Sequence, residues 1–171
     1  MIHKRSVIFH EVQQFSQVWL WLLILFITGI FWYGIIQQII YHMPLGRNPA
    51  PDLILLIFWL FFGIFFPLFF YSIKLVTEVR GDGLYIRFFP FHFSFRRILL
   101  KDIKRHEVRT YSPIREHGGW GIRYGLKGKA YNVCGNRGVQ LEFVNGKRLL
   151  IGSQRSEEFV NALDRVKDIK T

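Results

Sequence analysis

Two long stretches of the chain have no polar face at all. Residues 18–41 read VWLWLLILFITGIFWYGIIQQIIY and residues 53–73 read LILLIFWLFFGIFFPLFFYSI, with no charged side chain in either. As helices rising about 1.5 Å per residue they cover about 36 and about 31 Å, against a bilayer hydrocarbon core of about 30 Å. A core helix of a soluble domain would keep a polar stripe, so the pattern predicts two membrane-spanning helices. The first run is too long for the apolar stretch of a signal peptide and no A-x-A-like site follows it, so it is expected to be retained. Residues 42–52 carry Pro44, Gly46, Pro49 and Pro51, which suit an external loop joining the spans into a hairpin. Pro67 is expected to kink the second helix.

After residue 73 the period changes to two. Leu84, Ile86 and Phe88 alternate with Tyr85 and Arg87, and Val139, Leu141 and Phe143 alternate with Gln140 and Glu142, as in half-buried strands. Asn145-Gly146 between QLEFV and KRLLI predicts a type I′ hairpin turn, and Asp82-Gly83 between LVTEVR and LYIRFF predicts a second hairpin. Residues 97–100, 103–111 and 128–133 are further strand candidates. Ser156 is placed to cap a last helix, with Glu157 and Glu158 in its first turn and Phe159, Leu163 and Val166 at helical spacing. The expected organisation is an N-terminal segment 1–17, spans 18–41 and 53–73 around the loop 42–52, and an α+β domain 74–171. In that domain a helix closes an open end of a sheet roll.

Charge sharpens this picture. The 171 residues hold 23 Lys and Arg against 12 Asp and Glu, a formal charge of +11. Residues 74–171 account for 20 of those cations and 10 of the acids, hence +10. Lys4 and Arg5 precede the first span and Lys74 and Arg80 follow the second, whereas the connector has Arg47 against Asp52, so both termini are expected on the cytoplasmic side. The absence of ionisable groups in both runs leaves no candidate for an intramembrane proton relay. One cysteine excludes an intramolecular disulfide and a four-cysteine zinc site. The apolar and aromatic content excludes disorder.

Two sets of residues stand out as candidate sites. Arg96, Arg97, Lys101, Lys104 and Arg105 form a basic cluster that a membrane tether would hold near an anionic leaflet, where each cation contributes about 1 kcal/mol. The segment GGWGIRYGLKGKAYNVCGNRG matches neither nucleotide-binding glycine motif, and its glycines are read as turns and bulges. Its Trp120, Arg123, Tyr124, Tyr131, Asn136 and Arg137 are the candidate interaction loop, facing an anionic head group or a partner strand. The phenylalanines of FFPFHFSF at 88–95 are expected to enter the domain core in preference to the lipid interface. Cys134, Ser153, His3, His10, His106 and His117 lack the company that a nucleophile or a metal site requires. No catalytic, cofactor-binding or metal-binding residue is therefore assigned, and no nucleic-acid motif accompanies the charge.

The stretch VTEVRGDGLYIRFFPF…RRILLKDIKRHEVRTYSP resembles the start of a pleckstrin-homology-like (PH-like) module. GGWGIR, AYNVCGNRGVQL and LLIGSQR resemble segments of a prokaryotic family of small two-helix membrane proteins of unknown function. The resemblance implies an antiparallel β-roll of about seven short strands with a C-terminal helix, displayed at a prokaryotic inner membrane, and it implies no activity. The expected function is a non-enzymatic module acting through protein contacts, self-assembly or anionic lipid. Its expected partners are membrane lipids, an integral or cytoplasmic protein, or a second copy. Two alternatives stand beside it: an accessory subunit that packs its faces around Gly29, Gly34 and Gly63 on a larger membrane complex, and a membrane-embedded enzyme that uses Arg123, Tyr131 and Asn136 on a lipid head group.

Overall fold

Both apolar runs are helical. In the first, α1 (Val18–Ile35) continues into a π-helical turn (Ile36–Ile40), and in the second α2 (Asp52–Phe58), a π-helical stretch (Trp59–Phe65) and α3 (Phe66–Ser72) follow without a break. Val18–Ile40 and Asp52–Ser72 are each long and apolar enough to cross a membrane. The computed structural model describes residues 6–125 and 128–168, so His3, Lys4 and Arg5 of the readings above lie outside the described residues. The chain divides into two units, Ser16–Ser72 and the residues up to Phe15 together with those from Ile73 onward.

Within the helical unit, Phe31 stacks on Phe62 at 4.9 Å and Trp32 meets Trp59 edge-on at 5.2 Å. Pro67 acts on the hydrogen bonds here. Having no N–H, it removes one donor where the π-helical register gives way to α, and the carbonyls four and five residues before it, those of Gly63 and Phe62, are met from outside the helix. Helix α1 supplies both partners: Trp32 Nε1–H donates to the Gly63 carbonyl at 3.2 Å and Thr28 Oγ1–H to the Phe62 carbonyl at 3.3 Å. The π-helical stretch lies immediately before the proline, where such register changes absorb a missing bond. A Cβ on Gly34 would lie 3.3 Å from Leu55 Cδ1, so Gly34, like Gly63, is used by the hairpin's own packing, whereas Gly29 faces open space.

The second unit contains two sheets. β1 (Val7–Gln14), β2 (Lys74–Arg80), β3 (Gly83–Phe89) and β4 (Arg96–Ile98) form an antiparallel sheet in that order. β5 (Ile103–Thr110), β6 (Gly121–Gly125), β7 (Gly128–Asn132), β8 (Arg137–Phe143) and β9 (Arg148–Gly152) form the other, in the order β5-β8-β9-β7-β6. A short helix α4 (Pro113–His117) joins β5 to β6, and α5 (Ser156–Asp168) ends the described chain. Helix α5 buries Phe159, Ala162, Leu163 and Val166 against strands of both sheets, and Phe159 stacks on Phe9 of β1 at 5.1 Å.

Five expectations are corrected. The strands among the described residues number nine where about seven were expected, and the roll is not wholly antiparallel, because β7 pairs with β9 in parallel once β8 has turned away to β5. Within the expected N-terminal segment, residues 7–14 pair with β2 as the first strand of its sheet. Their pattern hid this, since Val7, Ile8 and Val12 face outward while Phe9, Glu11 and Gln13 are buried. Both hairpins form with different turns. Gly81 and Asp82 make the first loop, and Gly83 belongs to the ladder opposite Arg80, where a Cβ would lie 2.8 Å from the Ile98 carbonyl. In the second, the Gly146 N–H bonds the Phe143 carbonyl and Gly146 alone among the loop residues has a left-handed φ, 77°, giving a three-residue loop in place of type I′. Ser156 is the first helical residue instead of a cap. The turn before α5 is held by Ser153, whose Oγ accepts the Arg155 N–H at 3.1 Å and donates to Glu11 at 2.6 Å.

Candidate anion-binding surface

The linear basic cluster does not fold into one cationic site. Arg96 and Arg97 lie on β4 of the first sheet, Lys101 on the 3-10 turn Leu100–Asp102, and Lys104 and Arg105 on β5 of the second. Arg97 Nη2 is bound to Asp82, 3.0 Å from Oδ2 and 3.1 Å from the carbonyl, and Arg105 pairs with Glu107 at 2.8 Å. The depression around Arg105 also presents Glu107, Arg109, Gln140, Glu142 and Arg148, a face of mixed sign on which the chain largely neutralises itself.

The glycine-rich candidates are likewise divided. GGWGIR and CGNRG do meet: Trp120 Nε1–H donates to the Gly135 carbonyl at 3.2 Å, the Gly121 N–H to Asn132 Oδ1 at 3.0 Å, and the Tyr111 N–H to the Asn136 carbonyl at 2.8 Å. Burial pushes the Tyr111 phenol up to about 12, so this supporting side chain stays protonated. Arg123 Nε bonds the Trp120 carbonyl, and Arg137 pairs with Glu157. Tyr124, however, is at the far end of the β6–β7 hairpin, and Tyr131 is buried, so the six residues do not share one surface.

Tyr131 instead lies at the centre of a different cluster. The Lys129 ammonium sits over its ring at 4.7 Å and over the ring of Tyr124 at 4.9 Å. Arg96 Nη1–H points to the Tyr131 hydroxyl at 3.5 Å, and His92 and Phe88 pack against the ring. Burial pulls the Lys129 pKa down, but Tyr124 and Tyr131 outweigh it, so Lys129 is a firm cation. Lys129, and after it Arg96, hold the Tyr124 phenol below its ordinary range. Burial first, then Arg96 and Lys129, hold the His92 imidazole below its ordinary value.

From Lys129 the surface continues into an open groove of about 680 Å³ lined by Tyr124, Gly125, Gly128, Lys129, Gly146, Lys147 and Arg148. The parallel pairing of Lys129 with Leu149 brings these distant segments together, and Gly128 allows the approach, since a Cβ there would lie 2.4 Å from the Arg148 carbonyl. Among the described residues its lining holds Lys129, Lys147 and Arg148 and no carboxylate, while Arg148 also borders the mixed-sign depression, where its strand pairs it with Glu142. Among the described residues, Arg96, Lys129, Lys147 and Arg148 form no ion pair. A family model matches residues 3–167. The chain belongs to DUF6141, a family of unknown function. Neither a curated protein nor a solved structure matches it.

In this DUF6141 chain the sequence reading missed Lys129, Lys147 and Arg148, because nothing local joins positions that only the β7–β9 pairing unites. The one available signal was negative: KGKAY and GKRLL lack acids, whereas KDIKRHE supplies its own. The expected burial of the aromatic connection is also overturned in part. Phe88 is buried, but Phe91 and Phe93 on the loop between β3 and β4 are 58% and 82% exposed. Among the described residues no three His, Cys, Asp or Glu side chains gather as a metal site.

Proposed function

We propose that this protein is a non-enzymatic, two-span module of a prokaryotic inner membrane, with both termini cytoplasmic and a PH-like β domain that holds anionic lipid at the leaflet surface. The observation that carries the reading is the acid-free groove of Lys129, Lys147 and Arg148, continued by Arg96. A phosphate entering it displaces no internal ion pair, and Tyr124 and the glycines leave room for its oxygens. Three cations at about 1 kcal/mol each correspond to about a hundredfold in affinity.

The test is native mass spectrometry of the full chain released from mixed phosphatidylcholine and phosphatidylglycerol nanodiscs. The wild type is expected to retain phosphatidylglycerol over phosphatidylcholine, and the K129A/K147A/R148A variant to lose that preference. Arg105→Ala, which removes a cation already paired with Glu107, is expected to leave it unchanged. Equal retention by wild type and triple variant overturns the reading. A second reading, an accessory subunit, is favoured by Gly29, whose side of α1 is open and offers a small-residue contact to another helix. A stoichiometric integral partner in mild detergent, lost on Gly29→Leu, would carry that reading.

A further inference from the structure

We infer that the β3–β4 loop is a membrane wedge, with Phe91 and Phe93 seated at the boundary between head groups and acyl chains. The inference rests on the reading of the two helices as membrane spans. Phe91 and Phe93 are 58% and 82% exposed on a loop of a β domain that has ample apolar core elsewhere. The sequence pattern gives no reason for this exposure in water, where each ring forgoes about 2 kcal/mol of burial.

The register supplies the occupant. Gln14 pairs with Lys74 and Lys74 with Phe89, so the ends of β1, β2 and β3 form one row. Lys74 follows the last helical residue Ser72 with only Ile73 between, and Gln14 precedes Val18 by four residues. The loop therefore starts one strand spacing from Lys74, a residue two positions along the chain from Ser72, and an extended residue covers only about 3.4 Å. The loop is built for that boundary. Phe93 packs edge-on to half-buried Phe89 at 6.1 Å and Phe91 against buried Phe88 at 5.8 Å, so each exposed ring is braced by a ring at the end of β3. Arg96, which forms no ion pair among the described residues, closes the loop where a lipid phosphate would lie.

The experiment is spin-label depth measurement on the full chain in phosphatidylcholine nanodiscs. Cys134, the single native cysteine, is replaced by alanine, and the label is placed at Phe93→Cys, with Leu22→Cys on α1 as the lipid standard and Arg165→Cys on α5 as the water standard. Oxygen is expected to reach the Phe93 label better than a water-soluble nickel chelate does, as at Leu22. A Phe93 label that favours the nickel chelate while Leu22 favours oxygen overturns the wedge and leaves the membrane spans standing. Protection from both quenchers assigns the loop to a protein contact and likewise overturns it. Nickel preference at Leu22 as well would overturn the span reading itself. Because the discs contain no anionic lipid, the groove has no part in the result, and the two proposals fail separately.

Discussion

The helical hairpin and the β domain face the same problem, a polar group shut away from water, and they solve it with opposite materials. In the hairpin the groups are backbone carbonyls, Phe62 and Gly63, left at the register change before Pro67 and served by the side chains of Thr28 and Trp32. In the domain the buried group is a side chain, Glu11, served by the Ser153 hydroxyl at 2.6 Å and the Gln154 backbone N–H at 2.8 Å. Both hairpin donors come from the partner helix α1, 34 and 31 residues away along the chain. The domain draws its partners from the other end of the chain. That choice fastens β1, and with it the strand that leads directly into α1, to the turn before α5.

The largest expected effect follows from the domain half. Glu11→Ala removes a buried acceptor that two donors share and leaves the Ser153 hydroxyl and the Gln154 N–H unpaired, at a cost of about 3 kcal/mol. Neighbouring Gln13, whose Nε2–H donates to the Gly152 carbonyl at 2.7 Å, would still hold β1, so the strand is expected to loosen without being lost. Hydrogen exchange of the full chain in nanodiscs should show faster exchange across 7–14 and unchanged exchange in β8. Unchanged protection of β1 would mean that pairing with β2 alone fixes the strand.

Trp32→Phe tests the hairpin half. It keeps the aromatic packing against Trp59 and removes only the donor to the Gly63 carbonyl, so the expected loss is about 1 kcal/mol, smaller than in the domain. Denaturation in mixed micelles measures it, and an equal loss on Pro67→Ala/Trp32→Phe would break the argument, because alanine restores the backbone donor. With Pro67 replaced, the Trp32 bond should become dispensable.

The two apolar helices were legible because length without charge is a local property, and 18–41 and 53–73 show it without reference to any other part of the chain. Strands β2, β3, β8 and β9 were legible for a similar reason: alternation is local, and Gly83 and Gly146 mark the reversals, although the turn geometry depends on what approaches the backbone, such as the Ile98 carbonyl at Gly83. β1 was not legible. Its inward residues Glu11 and Gln13 are polar, and only their partners at Gly152, Ser153 and Gln154 make burial tolerable. The candidate site follows the same rule. A run of cations in sequence, KDIKR, proved to be paired or dispersed, whereas the cations left open, Lys129, Lys147 and Arg148, are gathered by a parallel strand pairing that no local pattern encodes.

The smallest effect is a pH dependence that ties the groove to the loop. His92 is held below its ordinary 6.5 by burial, then by Arg96 and Lys129. Below pH 6.5 the unfolded chain takes up a proton at this position that the folded chain refuses. The contribution to stability is therefore complete above 6.5 and is lost as pH falls toward the lowered folded value. His92→Gln should flatten the acid side of the stability profile slightly over that window. The same cause makes His92 a reporter: an anion between Arg96 and Lys129 cancels the two charges that oppose protonation, and so raises the imidazole pKa. Nuclear magnetic resonance titration of the His92 ring should show this rise in phosphatidylglycerol nanodiscs and not in phosphatidylcholine, and Lys129→Ala should raise the pKa in both while shrinking the difference between them. A titration indifferent to the lipid would mean that anionic lipid does not reach the Arg96–Lys129 end of the groove, whatever Lys147 and Arg148 bind.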